Sequence, residues 1–178
     1  KALLLGLNLE NILNIITITG DPVPTAEKDE VKSVFQFNST KFATLVSDMN
    51  EKVFTNKMNI GGALNLNANK FDLEIKRAQA KEKAGVNVFY TQPVISKTAV
   101  ENLKIARKEL KSYIMGGVLP IVSYKNALFM NSEASGIRLD DEIIEQYKGL
   151  EREAASRLAV EITSDFMRQI EDCVDGYY

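Results

Sequence analysis

The sequence predicts an α/β fold built on a parallel sheet, and three observations support this prediction. The chain of 178 residues is 45% hydrophobic and 26% charged, which is the composition of a globular domain. Short apolar or β-branched runs alternate along the chain with segments whose apolar residues recur at helical spacing. The strand-like runs are almost continuously apolar, as expected for parallel strands that are buried on both faces.

The strands are predicted by these runs and by the turn residues that end them. Pro22, Pro93 and Pro120 each follow a run, and a proline at a strand exit fixes φ without removing a hydrogen bond from the sheet. The predicted strands lie at residues 15–19, 58–64, 86–91, 113–119 and 174–178.

The helices are predicted by apolar stripes and by the residues placed to begin and end them. Ser96 can cap a helix that begins at Lys97, and Gly85 is placed to end the charged helix before it. The clearest amphipathic stripe is in the last helix. The predicted helices lie at residues 1–7, 35–53, 71–84, 97–111, 124–132, 140–147 and 150–172.

The spacing of the strands predicts a (β/α)₈ TIM barrel. The first four strands follow one another at intervals of about 26 to 44 residues, which suits βα units of about 30 residues. Both ends of the chain resemble interrupted elements, so we expect residues 1–178 to be part of a single barrel domain that covers about strands 4 to 8. A five-strand doubly wound sheet is the alternative, and it would be complete as it stands.

Composition excludes several classes of function. A net charge of −2 gives no electrostatic footprint for nucleic acid or for an anionic membrane surface. With no histidine and one cysteine, Cys173, the usual zinc and copper sites and histidine-dependent nucleophiles are excluded within this stretch. No apolar run is long enough for a membrane helix and no signal-peptide pattern is present, so we expect a cytoplasmic protein.

Candidate site residues follow the strands, because ligands of parallel α/β folds lie at the carboxyl ends. Asp21 is the one carboxylate at a strand exit, and Gly20 before it allows a ligand or a neighbouring backbone to come close. The carboxylate can stabilise a cation or transfer a proton, or it can bond to its own backbone in an ordinary turn. Gln92 and Asn126 can read the edge of an amide-rich heterocycle or satisfy loop backbone groups. Lys81 is either a solvated helix residue or a phosphate ligand.

Four motifs in register identify a family. They are Ile60-Gly-Gly-Ala-Leu-Asn-Leu-Asn67, Lys81-x-x-x-Gly85, Phe89-Tyr-Thr-Gln-Pro93 and Gly117-x-Leu-Pro-x-x-Ser-Tyr-Lys-Asn-Ala127, after the strand exit Gly20-Asp21-Pro22. With these motifs the chain resembles the 5,10-methylenetetrahydrofolate reductases, flavin enzymes with a (β/α)₈ fold. The likeness runs from about residue 3 to residue 178.

The resemblance implies a role for each matching residue. Asp21 would lie between flavin and folate as the catalytic carboxylate, and Gln92 would hold the pterin and the nicotinamide in turn. Asn126 falls where many members carry a glutamine for the folate. The residues implied for cofactor binding are Thr19, Gly20, Asp21, Ser39, Asn67 and Lys81.

The resemblance also implies the reaction. NADH or NADPH would reduce bound FAD, and 5,10-methylenetetrahydrofolate would then bind, open to an iminium cation and accept hydride at its methylene carbon. The product, 5-methyltetrahydrofolate, belongs to one-carbon and methionine metabolism. A homo-oligomer is compatible with the resemblance, and the small-molecule partner is a reduced folate.

Two other functions remain open at this point. Some members carry tyrosine and histidine where this chain has Ala63 and Asn67. The alternatives are a folate-binding barrel that works without flavin in methyl transfer, and a divergent barrel that serves as a non-catalytic subunit.

We expect the substitution Asp21→Asn to separate the two half-reactions. A fixed carboxylate stabilises a nearby cation in the transition state, so folate-dependent turnover should fall far more than flavin reduction by the nicotinamide. Stopped-flow measurement of each half-reaction tests this, and equal losses in both would contradict the role of Asp21.

Overall fold

A computed structural model of the protein describes residues 1–19, 37–132 and 137–178. Within these ranges the alternation of strand and helix is confirmed. The strands are β1 (Asn14–Thr17), β2 (Asn59–Leu64), β3 (Val88–Pro93), β4 (Tyr113–Gly117) and β5 (Gly176–Tyr177). The helices are α1 (Ala2–Leu9), α2 (Ser39–Lys52), α3 (Phe71–Lys83), α4 (Lys97–Glu109), α5 (Tyr124–Met130), α6 (Asp141–Gln146) and α7 (Arg152–Ile170), and a 3₁₀ turn, Glu171–Cys173, follows α7.

The five strands form one sheet whose spatial order is their order along the chain. Every neighbouring pair, from β1 with β2 to β4 with β5, is parallel. A doubly wound sheet reverses its strand order at a switch point. The described strands show no reversal, which argues against the doubly wound alternative and leaves all the carboxyl ends at one edge.

The two faces of the sheet differ in burial. One face packs against the helices and carries fully buried side chains such as Phe89 and Ile114. The opposite face is exposed, with Ile16 at 50%, Ile18 and Tyr113 at 66% and Tyr178 at 57% exposure. The sequence predicts burial on both faces, and the described residues show burial on one of them.

Side-chain caps fix the starts of α2 and α4, as predicted for Ser96. Its Oγ accepts a hydrogen bond from Ala99 N at 3.2 Å, and Asn38 caps α2 by accepting one from Lys41 N at 2.9 Å.

Among the helices in the described ranges, none combines the length and the apolar character needed to cross a bilayer.

Strand β3 ends later than the sequence predicts. The sequence places its end at Thr91, whereas the strand continues to Pro93. Tyr90 pairs with Met115 and Pro93 pairs with Gly117, so β3 holds one extra residue in this interval. Such a β-bulge re-aims the side chains beside it, and here it lies next to Gln92.

Three asparagines join the amino ends of the first three strands. Asn59 Nδ2 donates to Asn14 Oδ1 at 2.8 Å, and Asn87 Nδ2 donates to Asn59 Oδ1 at 3.3 Å. The side-chain oxygen of Asn87 bonds to the backbone, because its Oδ1 accepts a hydrogen bond from Ile60 N at 3.1 Å. We call Asn14, Asn59 and Asn87 the asparagine row.

Thr91 joins the carboxyl ends of β3, β4 and β5. Its Oγ1 accepts a hydrogen bond from Gly117 N at 3.0 Å, and its carbonyl oxygen accepts one from the Tyr178 hydroxyl. A Cβ added at Gly117 would lie 3.0 Å from Gln92 C, Pro93 N and Thr91 O. These are backbone atoms, so glycine is required at this position for lack of space.

We therefore expect the substitution Gly117→Ala to displace the end of β3. Overpacking should lower the free energy of unfolding by about 1–3 kcal/mol, measured by urea denaturation of the purified protein. Gly6→Ala is the matched control, because a Cβ there meets nothing within 4 Å and alanine favours a helix. Equal stability of the two variants would contradict this account of Gly117.

Candidate functional site

Three of the predicted site residues lie at the carboxyl ends of three neighbouring strands of one sheet. Thr19 lies just beyond β1, Asn67 just beyond β2, and Gln92 near the end of β3. Gly20 and Asp21 lie outside the described residues, so their predicted roles stay predictions.

Thr19 and Ser39 are brought into direct contact. The backbone N–H of Ser39 donates to Thr19 Oγ1 at 2.9 Å, and Ser39 is the first residue of α2. This hydrogen bond joins the exit of β1 to the start of α2 across the segment that contains Asp21. Both residues were expected near the cofactor, and the structure places them together.

Lys81 reaches from α3 to the carboxyl end of β2. Its Nζ donates to the carbonyl oxygen of Ala63 at 2.7 Å. β1 pairs with β2 only as far as Thr17 and Gly62, so the next carbonyl along β2 takes its donor from a side chain. Lys81 is thus tied to the sheet, unlike a freely solvated lysine.

The environment of Lys81 disfavours its charged form. Burial lowers the pKa of its ammonium group, the nearby Arg77 lowers it further, and Glu74 acts in the opposite direction. A half-buried cation bound to a neutral carbonyl lacks full charge compensation. An anion bound beside Lys81 would supply it.

Asn67 and Gln92 form the second direct contact between predicted site residues. Asn67 Nδ2 donates to Gln92 Oε1 at 3.1 Å, while Asn67 N donates to Asn65 Oδ1 at 2.9 Å. Asn65 N is held in turn by Glu74 Oε1 at 3.1 Å. Because the Gln92 oxygen is an acceptor here, its amide N–H groups are directed to other partners, and a ligand acceptor is a suitable one.

In the described part of the chain, the hydrogen bonds of Asn126 involve neither Asn67 nor Gln92. Its Oδ1 accepts from Val122 N at 3.2 Å, and its backbone N donates to Ser123 Oγ at 3.1 Å. Both bonds stay within the turn that begins α5. Its side-chain oxygen thus satisfies a backbone group of the loop, and the role of Asn126 in folate binding stays a prediction.

Two tyrosines that the sequence motifs did not point to as a pair lie on the exposed face of the sheet. The rings of Tyr90 and Tyr178 meet edge to face, with centroids 5.3 Å apart and an interplanar angle of 80°. Burial raises the pKa of the Tyr178 hydroxyl, with Tyr90 contributing in the same direction. The sequence held no clear signal for this pair, because the bulge of β3 interrupts the alternation between Tyr90 and Gln92 and because Tyr178 lies beyond β5.

No group of three or more histidine, cysteine, aspartate or glutamate residues in the described ranges is arranged to hold a metal ion. The chemistry that the arrangement supports rests on amide donors, one half-buried ammonium group and aromatic rings. These groups suit an uncharged heterocycle and an anionic substituent.

A family model that describes methylenetetrahydrofolate reductase matches residues 5–175. The chain belongs to the methylenetetrahydrofolate reductase family. Membership confirms the resemblance drawn from the four sequence motifs. The roles of single residues remain predictions, since a family match does not test them.

Three solved structures are similar to this family member, and the first of them shares its fold. A protein from Clostridium thermocellum, described as uncharacterized and binding two copies of 5-methyl-5,6,7,8-tetrahydrofolic acid, matches 97% of this chain and 70% of its own at 16% identity and a TM-score of 0.58. A monomeric dihydrodipicolinate synthase variant matches 98% of this chain and 60% of its own, at 16% identity and a TM-score of 0.42. A dihydrodipicolinate synthase matches 98% of this chain and 61% of its own, at 11% identity and a TM-score of 0.44. No curated protein matches the sequence.

We expect the lowered pKa of Lys81 to appear in the pH dependence of stability. The ordinary pKa is 10.5, and between the folded value and 10.5 the unfolded chain binds more protons, so stability increases with pH in that window. Relative to Lys81→Met, the unfolding free energy of the wild type should therefore rise as the pH approaches 10.5. Urea denaturation at a series of pH values measures this difference.

Lys76→Met provides the control, because Lys76 is exposed on the same helix. Its stability should run parallel to the wild type over the whole pH range. A parallel course for Lys81→Met as well would contradict the effect of burial on Lys81.

Proposed function

We propose that this chain forms about strands 4 to 8 of a (β/α)₈ barrel that reduces 5,10-methylenetetrahydrofolate to 5-methyltetrahydrofolate, using FAD and a nicotinamide donor. Family membership over residues 5–175 supports a folate-related activity. The sequential, all-parallel strand order supports the barrel, since successive strands of a barrel pair in chain order.

The observation that carries the proposal is the placement of Gln92. Its side chain lies at the carboxyl end of β3, where its oxygen is held by Asn67 and its N–H groups are left to donate. The pterin ring of a folate has a carbonyl oxygen and a ring nitrogen without hydrogen, which are acceptors for such donors. Gln92 would orient the heterocycle and would not transfer protons.

The residues around Lys81 fit the phosphate side of a flavin. The ammonium group is half-buried, its described hydrogen bond goes to the neutral Ala63 carbonyl, and N–H donors remain for an anion. Thr19, Ser39 and Asn67 would line the same cofactor, with Thr19 and Ser39 already in contact. FAD, when bound, would supply the hydride that reduces the methylene carbon.

Asp21 would supply the negative charge beside the reacting carbon. The chain ends β1 shortly before it, so the carboxylate follows a strand of the sheet by only a few residues. A carboxylate held there would favour cationic character in the folate during reduction. Asn126 would bind the folate from the turn that begins α5.

The second candidate is a folate-binding barrel that works without flavin. It is favoured by the Clostridium thermocellum neighbour, which is described as binding 5-methyltetrahydrofolic acid. Ala63 adds to this, because its small side chain lies exposed at the β2 exit, where some family members have an aromatic ring.

The visible absorption spectrum of the purified protein distinguishes the two candidates. For the reductase we expect a flavin band that bleaches with NADH or NADPH and returns when 5,10-methylenetetrahydrofolate is added. Lys81→Ala should lose the band, whereas Lys76→Ala should keep it. An absent band in the wild type, with none after soaking in FAD, would overturn the flavin-dependent reaction.

Titration calorimetry with 5-methyltetrahydrofolate completes the test. Binding without flavin would establish the second candidate. A protein that takes up neither ligand would contradict both candidates and favour a non-catalytic subunit.

A further inference from the structure

The loop that follows β2 connects α3 to the end of β3 through side-chain hydrogen bonds. Asn65 N donates to Glu74 Oε1 at 3.1 Å, and Asn65 Oδ1 accepts a hydrogen bond from Asn67 N at 2.9 Å. Asn67 Nδ2 donates in turn to Gln92 Oε1 at 3.1 Å. A carboxylate of α3 is therefore linked to the amide of Gln92 through two asparagines. We call Glu74, Asn65, Asn67 and Gln92 the amide relay.

Glu74 is a charged residue in a buried position. It is 7% exposed, and burying a carboxylate costs free energy unless the group accepts hydrogen bonds or is paired. Arg77 Nη1 lies 3.5 Å from Glu74 Oε2, but the Arg77 side chain is 70% exposed, so this pair contributes little. The hydrogen bond from Asn65 N is the shorter of the two contacts, and it directs the carboxylate at the loop.

The same loop is held from α4. Asn102 Nδ2 donates to the carbonyl oxygen of Leu66 at 2.8 Å, and Leu66 is completely buried. The bond from Asn67 N to Asn65 Oδ1 spans two residues, as in an Asx turn. Because its backbone is held from α3, from α4 and within the turn, the loop presents the Asn67 amide to Gln92 in one orientation.

This orientation determines what Gln92 can recognise. A glutamine amide has an acceptor oxygen and a donor NH₂ group, and rotation by half a turn exchanges them. Asn67 donates to the oxygen, so the NH₂ group of Gln92 is directed elsewhere and requires an acceptor. A 4-oxo pterin has a carbonyl oxygen, which is an acceptor, at the ring position where a 4-amino pteridine has a donor amino group. The direction of a single amide can therefore distinguish these two rings.

We propose that Glu74 is a positioning residue that acts through Asn65 and Asn67 to fix the Gln92 amide, and that the fixed amide selects 4-oxo pterins over 4-amino pteridines. This inference rests on the proposed folate-binding function. Two donors that face each other leave both groups without a partner, and such a mismatch costs more than a hydrogen bond gains. Gln92 would contact the heterocycle, whereas Glu74 would act only through the loop.

Titration calorimetry with two ligands tests the role of Glu74. It would compare 5-methyltetrahydrofolate with its 4-amino analogue, at a pH where both rings are uncharged. The wild type should bind the 4-oxo ligand about 10- to 100-fold more tightly. Glu74→Ala should bring this ratio of affinities close to one. Glu74→Gln should keep the ratio, because its amide oxygen can still accept the hydrogen bond from Asn65 N.

Asn67→Asp tests the orientation of the Gln92 amide directly. An ionised carboxylate only accepts hydrogen bonds, so the Gln92 amide should rotate to donate to it and should present its oxygen to the ligand. The preference should then reverse in favour of the 4-amino analogue. Asn56→Asp makes the same substitution at an exposed position between α2 and β2, and it should leave the ratio unchanged.

The ratio of affinities separates positioning from a purely structural role. Both ligands bind the same folded protein, so a variant that is only less stable loses affinity for both by the same factor. Its ratio then equals that of the wild type. Urea denaturation of each variant measures the loss of stability independently.

The outcomes also separate this proposal from the proposed function. Equal wild-type affinities, or a preference for the 4-amino analogue, would overturn the selection while folate binding stands. An unchanged ratio in Glu74→Ala would overturn the role of Glu74, and an unchanged ratio in Asn67→Asp would overturn the control of the Gln92 amide. Failure of the wild type to bind either ligand would overturn folate binding and this inference together.

Discussion

The hydrogen bonds of Thr91 hold the carboxyl end of the sheet together where it is least regular. Thr91 is buried, and it accepts one bond from Gly117 in β4 and one from Tyr178 beyond β5. Both bonds act at the bulge of β3, where regular pairing is interrupted. Gln92 therefore lies on a strand that hydrogen bonds hold to β4. A side chain on such a strand has a better defined position than one on a free loop.

Most of the fold followed from patterns that are local in the sequence. Apolar runs and helical spacing identify β2, α3 and α4 to within about two residues of their observed ends, because burial against one neighbour is enough to create the pattern. The continuation of β3 to Pro93 was missed because the bulge depends on the fit against Gly117, a residue distant in sequence. The exposed second face was missed for the opposite reason, since apolar strands predict burial without saying what covers them.

The candidate site was predictable in its location and less so in its contacts. The carboxyl ends of parallel strands share one edge, so the grouping of Thr19, Asn67 and Gln92 follows from topology alone. The hydrogen bond from Lys81 to Ala63 could not be predicted. It depends on how a side chain of α3 reaches a neighbouring strand, and such a contact produces no periodic pattern in the sequence.

The asparagine row has a consequence for how this sheet can change over evolution. Shifting one strand by a single residue would turn each of its side chains to the other face and break the side-chain amide bonds between Asn14, Asn59 and Asn87. The alignment of the strands is thus specified at the end of the sheet opposite the candidate site. Substitutions among the candidate site residues leave these amide bonds in place, so the alignment of the strands does not depend on them.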